Sequence, residues 1–252
     1  MEDCCRLLPW DSTHFGVPIA RVSCARLTPD LLADIDVWSR SRSVRCLYWL
    51  SDADPGGMRL ASEAGFRFID VRTTVQAALP PETGPDHAVH AGSIRAAESR
   101  DLPELRKIAA ESHRNTRFYC DGNFSRAACD EMYRIWIDRS CRESKFADVV
   151  FVAEKDGRIA GYISCKLDAG IALIGLVAVD RSCRGIRLGE SLVRQASLWA
   201  RSRGARHIEA VTQGANVPAL RLYQKSGFLV SLVQFWYHRW LSPVAHDPGE
   251  MD

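Results

Sequence analysis

No run of about 18 apolar residues occurs in the chain, and its N-terminus carries no signal-like apolar stretch. A membrane span is therefore not expected, and the expected location is the cytoplasm. Net charge is also scarce. The formal value is +2 at pH 7, so no overall field selects nucleic acid or a membrane surface. Lysine is confined to Lys107, Lys145, Lys155, Lys166 and Lys225; the other basic residues are arginines. Arginine's planar fork suits phosphates, although a coding bias accounts for the excess equally well. Paired cysteine motifs are missing. The nine cysteines are odd in number and show no C-x-x-C pair or Cys/His ligand spacing. Several sit in apolar, strand-like runs, so they read as reduced core residues, with neither a metal site nor a disulfide framework. Repeats and low-complexity tracts are absent as well.

What is present is an ample core. Hydrophobic residues make up 46% of 252 positions, which excludes disorder and allows one large domain or two small ones. Pro80-Pro81-Glu82-Thr83-Gly84-Pro85 is the best linker, because three prolines and a glycine cannot build an element interior. It separates an N-terminal α/β domain over 1–85 from a second domain over 93–241, with a frayed tail over 242–252.

In the first part, Cys5 to Trp10 reads as a strand, Asp11 to Pro18 as a turn and Ile19 to Leu27 as a half-buried strand. Thr28-Pro29-Asp30 starts a helix through a cap, a first-turn proline and a favourable charge. Val44 to Leu50, Pro55 to Ala64 and Phe66 to Leu79 follow as strand, helix and strand. In the second part, Ser93 to Ala97 is a strand and Arg100 starts a helix. His113 to Phe124 is polar, aromatic and too irregular for a core element. Ser125 to Cys141 is a helix. Val149 to Ala153 and Ile159 to Leu167 form a hairpin across Lys155-Asp156-Gly157.

The chain is organised around Ile171 to Gly189. An apolar strand, Ile171 to Val179, ends at Asp180. Arg184-Gly185-Ile186-Arg187-Leu188-Gly189 then opens a helix whose apolar face holds Leu188, Leu192, Val193, Ala196, Trp199 and Ala200, and which stops at Gly204. Two glycines and two arginines at a helix N-terminus suit a phosphate, since the first N–H groups have no partner in the helix and the dipole favours an anion. Strand His207 to Thr212, helix Val217 to Ser226 and a last strand from Leu229 to Trp240 complete the order.

The loop Arg184 to Gly189 resembles the pyrophosphate loop of GCN5-related N-acetyltransferases (GNAT), with Arg187 at the pattern's fourth position. Asn216-Val217-Pro218-Ala219-Leu220-Arg221-Leu222-Tyr223-Gln224-Lys225-Ser226-Gly227-Phe228 is similar to that family's second signature, Asn-x-x-Ala-x-x-Leu-Tyr-x-x-x-Gly-Phe. Leu8-Pro9-Trp10-Asp11-Ser12, Phe15-Gly16-Val17, Ala64-Gly65-Phe66, Thr116-Arg117-Phe118, Val211-Thr212-Gln213 and Trp236-Tyr237 resemble the family's branch that acetylates TDP-linked amino-deoxysugars. The resemblance implies an α/β (α+β) fold: a splayed mixed sheet flanked by helices, preceded by a smaller α/β domain like a partial copy of it. It implies acetyl-CoA as cosubstrate and no metal.

By the same resemblance, the acyl oxygen meets backbone N–H groups among Leu176, Val177, Ala178 and Val179, where Gly175 is a plausible bulge. The phosphates meet Arg184, Gly185, Ile186, Arg187, Leu188 and Gly189. Asn216 contacts the CoA arm or caps its helix. Tyr223 is the general acid, since a phenol is protonated at neutral pH. His14, Phe15, Arg117, Phe118, Tyr119 and Gln213 are candidates for the acceptor, in a cleft between the domains. His113, Asp121 and Glu209 are bases by residue type only. The expected reaction is N-acetylation of a nucleotide-linked amino sugar by direct attack, with a homodimer left open. Another small amine as acceptor, or a silent acyl-CoA-binding module, stays as an alternative; nucleic acid does not fit the charge.

Overall fold

The computed structural model describes residues 4–80 and 93–241. In chain order it has strands and helices β1 (Cys5–Leu7), α1 (Pro9–Phe15), β2 (Ile19–Val22), α2 (Pro29–Ser41), β3 (Cys46–Ser51), α3 (Pro55–Glu63), β4 (Arg67–Ala78) and β5 (Ser93–Ala96). There follow α4 (Leu102–Ser112), α5 (Arg117–Cys120), α6 (Arg126–Arg142), β6 (Val149–Lys155), β7 (Arg158–Asp168), β8 (Ile171–Val179), α7 (Leu188–Ser202), β9 (His207–Gln213), α8 (Val217–Lys225) and β10 (Leu229–Trp240). Among the described residues no helix is long and apolar enough to cross a membrane.

The chain forms two compact units: one runs up to Val71 and resumes at Val233, the other is Arg72–Leu232. Strands β4 and β10 run from one unit into the other. The linker expected at 80–85 lies, apart from Pro80, outside the described residues, as does the tail from 242.

In the first unit the strand order is β1-β2-β3-β10, with β2 and β3 parallel and the other pairs antiparallel. Its core joins Val22, Ile35, Leu47, Trp49, Ala61, Phe66 and Tyr237. Thr28 caps α2 by accepting from the Leu31 N–H (3.2 Å), as its sequence predicts. The segment 11–18 departs from expectation. Its residues read as a turn, but Pro9 to Phe15 make a helix ended by Gly16 at φ +70°. Ser12 explains the difference: its hydroxyl donates to Leu8 O (2.7 Å) and accepts from Ile19 N–H (2.9 Å). The breakers there act as helix ends.

The second unit holds a mixed sheet in the order β4-β9-β8-β7-β6-β5, antiparallel except for the parallel β8–β9 pair. The β6–β7 turn sits where the sequence places it, with both Asp156 (φ +52°) and Gly157 (φ +73°) left-handed, as a two-residue hairpin turn requires. Alternation sorts the two faces. Ile163 and Cys165 of β7 join Leu188, Leu192, Ala196 and Ala200 of α7 and Tyr223 of α8 in one core. Tyr162 points the other way, to His113 at the end of α4. Helices α4 and α6 pack on each other, and α4 covers β7 and β8 on that second face.

An arginine ties the start of this unit together. Arg95 on β5 grips Asp101 with both Nη atoms (2.7 and 2.9 Å) and Glu154 on β6 through Nε (2.8 Å). Asp101 is 5% exposed, and the hydrogen bonds from Arg95 hold its carboxyl below the usual range. Arg95→Ala leaves that carboxylate buried and unpaired, a loss expected at about 2–4 kcal/mol. A carboxyl depressed by folding contributes stability above its unfolded pKa and loses it as pH falls through the folded value. The deficit of Arg95→Ala against the parent should therefore be full at pH 7 and shrink below about pH 4, followed by urea unfolding at a series of pH values. A deficit independent of pH would deny the charge pairing.

Candidate active site

The site begins with an extra residue in β8. Its register with β7 runs Gly161↔Val179, Tyr162↔Ala178, Ile163↔Val177, then shifts, so that Cys165 faces Ile174. Gly175 and Leu176 thus oppose the single residue Ser164, a β-bulge at the position where a glycine interrupts the apolar run. The Ser164 hydroxyl accepts the Leu176 N–H at 2.8 Å. A Cβ on Gly175 would stand 2.9 Å from that Oγ, so glycine is what lets the serine reach in. The bulge inverts the alternation: Ala172 and Ile174 before it, and Val177 and Val179 after it, face the α7 core.

It also ends the pairing with β9, which stops at Ile174↔Ala210. Beyond that point β8 and β9 no longer pair, and the stretch between their unpaired segments is the slot. Of the four N–H groups expected to face it, two do not. Leu176 N–H is taken by Ser164. Asp180 N–H donates to Ala160 O on β7 (2.8 Å), so by strand alternation Ala178 N–H also points to β7. Val177 and Val179 point to the slot. The Val179 carbonyl there accepts from Arg184 Nε (3.2 Å).

The loop after β8 is set by Asp180, whose carboxylate receives both the N–H and the hydroxyl of Ser182. Those bonds hold its carboxyl below the usual range. Gly185 then turns at φ +83° with open space around it, and Arg187 at φ +64° is the residue before α7. The pattern's fourth position is thus not glycine, yet the backbone makes the left-handed turn all the same, at a cost of about 1 kcal/mol. No side chain caps α7, so its first N–H groups, behind Arg184 to Arg187, form a donor set for an anion. Leu188 is buried and anchors the helix. Gly189 serves packing instead. A Cβ there would meet Leu222 at 3.3 Å, so the glycine lets α7 and α8 approach. The loop and the slot are contiguous, and together they fit a chain that carries a diphosphate at one end.

Helix α8 starts at Asn216, whose Oδ1 accepts the Ala219 N–H (3.3 Å). Tyr223 lies on the inner side, 2% exposed, 5.2 Å from the ring of Phe228. Burial pushes its hydroxyl pKa well up, with Cys165 nearby adding to the shift, so the group keeps its proton far into the alkaline range. Among the described residues no hydrogen bond to that hydroxyl is found.

On the second face, His113 Nε2 lies 2.9 Å from the Tyr162 hydroxyl and its ring stacks on Tyr133 at 4.7 Å. Burial lowers its pKa to about 4, so it is neutral at pH 7. Arg117, Phe118 and Tyr119 form α5. Phe118 is buried, its ring 6.0 Å from Phe124 and 4.0 Å from the Arg117 guanidinium, so it packs the loop rather than offering a face for a base. Tyr119 donates to Asp130 (2.6 Å). Asp121 is buried and accepts from Asn123 (2.6 Å). Gln213 and Glu209 are half-buried on β9. His14 and Phe15 belong to α1 of the first unit, where His14 stacks on Trp10 at 4.9 Å. Sequence reading missed Ser164, Tyr162 and Arg72. None lies in a motif; register sets Ser164 against the bulge, Tyr162 opposite Ala178 and Arg72 opposite Gln213.

A model of the acetyltransferase (GNAT) family matches residues 103–228, half of the chain. The chain is 30% identical over 237 residues to the dTDP-fucosamine acetyltransferase of Escherichia coli O6:H1, covering 92% of this chain and 96% of that protein. It is 27% identical over 143 residues to the spore coat polysaccharide biosynthesis protein SpsD of Bacillus subtilis, covering 57% of this chain and 49% of SpsD. A GCN5-related N-acetyltransferase from Sphaerobacter thermophilus shares the fold, with a TM-score of 0.64 at 18% identity over 95% of this chain and 76% of its own.

Gly175→Ala should push Ser164 off the Leu176 N–H and let the β8–β9 pairing extend. Expected are a loss of turnover of about 100-fold, the scale of one lost oxyanion donor, and a thermal midpoint within a few degrees of the parent. Near-parent turnover would show that the bulge is not needed.

Proposed function

The chain belongs to the acetyltransferase (GNAT) family and is an acetyl-CoA-dependent N-acetyltransferase; we propose that its acceptor is the amino group of a nucleotide-linked amino-deoxysugar, such as a TDP-4-amino-4,6-dideoxyhexose. The observation that carries the acceptor class is the 30% identity to a dTDP-fucosamine acetyltransferase across 92% of this chain and 96% of that one. The similarity to a second polysaccharide-biosynthesis protein supports it.

In this reading acetyl-CoA lies with its pantetheine arm in the slot between β8 and β9 and its diphosphate at the N-terminus of α7, where Gly185 and Arg187 turn the chain. The thioester oxygen accepts from Val177 N–H. The neutral amine attacks the thioester carbon, and the charge that develops on oxygen in the tetrahedral adduct is held by a donor already in place. The carbon–sulfur bond then breaks. Tyr223 gives its proton to the leaving thiolate, a role suited to a phenol whose burial keeps it protonated. The amine's surplus proton leaves to water. His113 is neutral and a weak base, so it fits a positioning role on Tyr162 better than proton removal.

Tyr223→Phe should lower CoA release by about 100-fold or more while acetyl-CoA binding stays within a few-fold; unchanged release would remove the acid role. For the acceptor, the assay is CoA release with the TDP-amino sugar beside an amine panel lacking a nucleotide. Turnover only with the TDP-sugar is expected. Turnover only with free amines would discard the nucleotide-sugar reading and keep the family.

A further inference from the structure

Strands β4 and β9 of the second unit build a polar strip that acetyl transfer itself does not use. Their antiparallel register pairs Arg72↔Gln213, Thr74↔Val211 and Gln76↔Glu209 on one face. The alternate pairs, Val75↔Ala210 and Ala77↔Ile208, sink into the α7 core. A sheet face that met only solvent would not need to withdraw an arginine from water. Here Arg72 and Gln213 are half-buried and Thr74 is 7% exposed. The Arg72 guanidinium donates to Thr74 Oγ1 at 3.0 Å, which draws it along β4 toward the Thr74↔Val211 pair. Burial lowers its pKa, opposed by the charge of Glu209, which describes a cation with a thinned hydration shell.

Register places this strip against the slot. Pairing of β8 with β9 ends at Ile174↔Ala210, so Val211 to Gln213 run beside Gly175 to Val177 without bonding to them. With the extra residue of β8 counted, Gln213 stands near the level of Val177 and Ala178, and Arg72 pairs with Gln213 one strand further on. Two ladder spacings set roughly 10 Å as the least distance from the Arg72 backbone to that of β8, since β8 and β9 no longer pair here. The strip is on the face shared by Tyr162 and Ser164, the face opposite the α7 core. An acceptor amine at the thioester by Val177 would thus lead back over Gln213 to a cation two strands away. A single pyranose ring with its glycosidic oxygen is of the length to bridge them. Guanidinium matches phosphate oxygens in a two-pronged fit, and the Gln213 amide matches a ring hydroxyl or a phosphate oxygen.

We propose that Arg72, with Gln213, is the acceptor-phosphate clamp of this enzyme and sets its preference for sugars linked to phosphate over free amines. The proposal rests on the nucleotide-sugar acceptor and names the residues that would enforce it. Arg72 acts on substrate binding and takes no part in proton transfer.

The test compares Arg72→Gln, Arg72→Lys and Gln213→Ala with the parent, full-length, each checked by thermal unfolding. The substrates are a TDP-4-amino-4,6-dideoxyhexose and the same amino sugar as its methyl glycoside, and TDP alone serves as a competing ligand. Arg72→Gln should raise KM for the TDP-sugar about 30–100-fold, the scale of a charge-assisted contact, with kcat and the KM for acetyl-CoA within a few-fold. TDP inhibition should weaken by a similar factor, and the low rate on the methyl glycoside should not change. Arg72→Lys should keep part of the affinity, since it retains charge and loses the fork. Equal losses on both sugars, a raised KM for acetyl-CoA, or a parent enzyme that TDP does not inhibit would overturn the clamp. If the parent turns over the TDP-sugar and Arg72→Gln matches it, the clamp alone fails. If the parent is silent on the TDP-sugar but active on free amines, the acceptor reading fails and takes the clamp with it.

Discussion

One extra residue in β8 governs the second unit. The Ser164 hydroxyl takes the Leu176 N–H in place of a strand partner, and Gly175 has no side chain to obstruct it. From that bond three consequences follow. The alternation of β8 inverts, so Val177 and Val179 enter the α7 core. The pairing with β9 stops at Ile174. The backbone groups of Val177 and the Val179 N–H are left on the side where pairing with β9 has ended, the Val179 carbonyl being taken by Arg184, and an extended ligand arm can supply the missing ladder there. A parallel sheet interior does not otherwise tolerate such a gap.

The loop after β8 depends on the same geometry. Asp180 hands the chain from strand to turn by bonding β7 through its N–H and Ser182 through its carboxylate. Gly185 and Arg187 complete the turn in left-handed conformations, and α7 then starts with its first donors open. Gly189 brings α8 against α7, which seats Tyr223 in the core beside Phe228. Slot, anion site and phenol are thus set by packing of one strand and two helices. The polar contacts that matter are two local ones, Ser164 with Leu176 and Asp180 with Ser182.

Much of this was legible in the chain. An apolar run ending at Asp180 and a helix stopped by Gly204 are where periodicity put them, and a glycine in the strand marked the bulge because a missing side chain there has few other uses. The Asp156-Gly157 turn needed only the φ preferences of its residues. What could not be read was set by register. Four N–H groups were expected at the slot; two turn inward, because the bulge decides which way each points. Phe118, a candidate for the acceptor, is buried in the loop's own packing, since loop aromatics are buried or open according to their neighbours in the fold. Segment 11–18 looked like a turn because Gly and Pro bound helices as well as turns, and of the two Ser12 bonds that decide the matter one stays within the helix and the other joins Ile19 across the following loop. Arg72 carried no motif; its place comes from facing Gln213 across an antiparallel pair.

Amide hydrogen exchange at single residues of β8, with and without acetyl-CoA, tests the bulge most directly. In the free enzyme the Leu176 and Ala178 amides should exchange slowly, being bonded to Ser164 and β7, and the Val177 amide quickly. Adding acetyl-CoA should slow Val177 by at least about tenfold and leave Leu176 and Ala178 nearly as they were, because a hydrogen bond is gained only at the slot. A Val177 amide already slow in the free enzyme, or one that acetyl-CoA leaves unchanged, would contradict a slot made by the bulge.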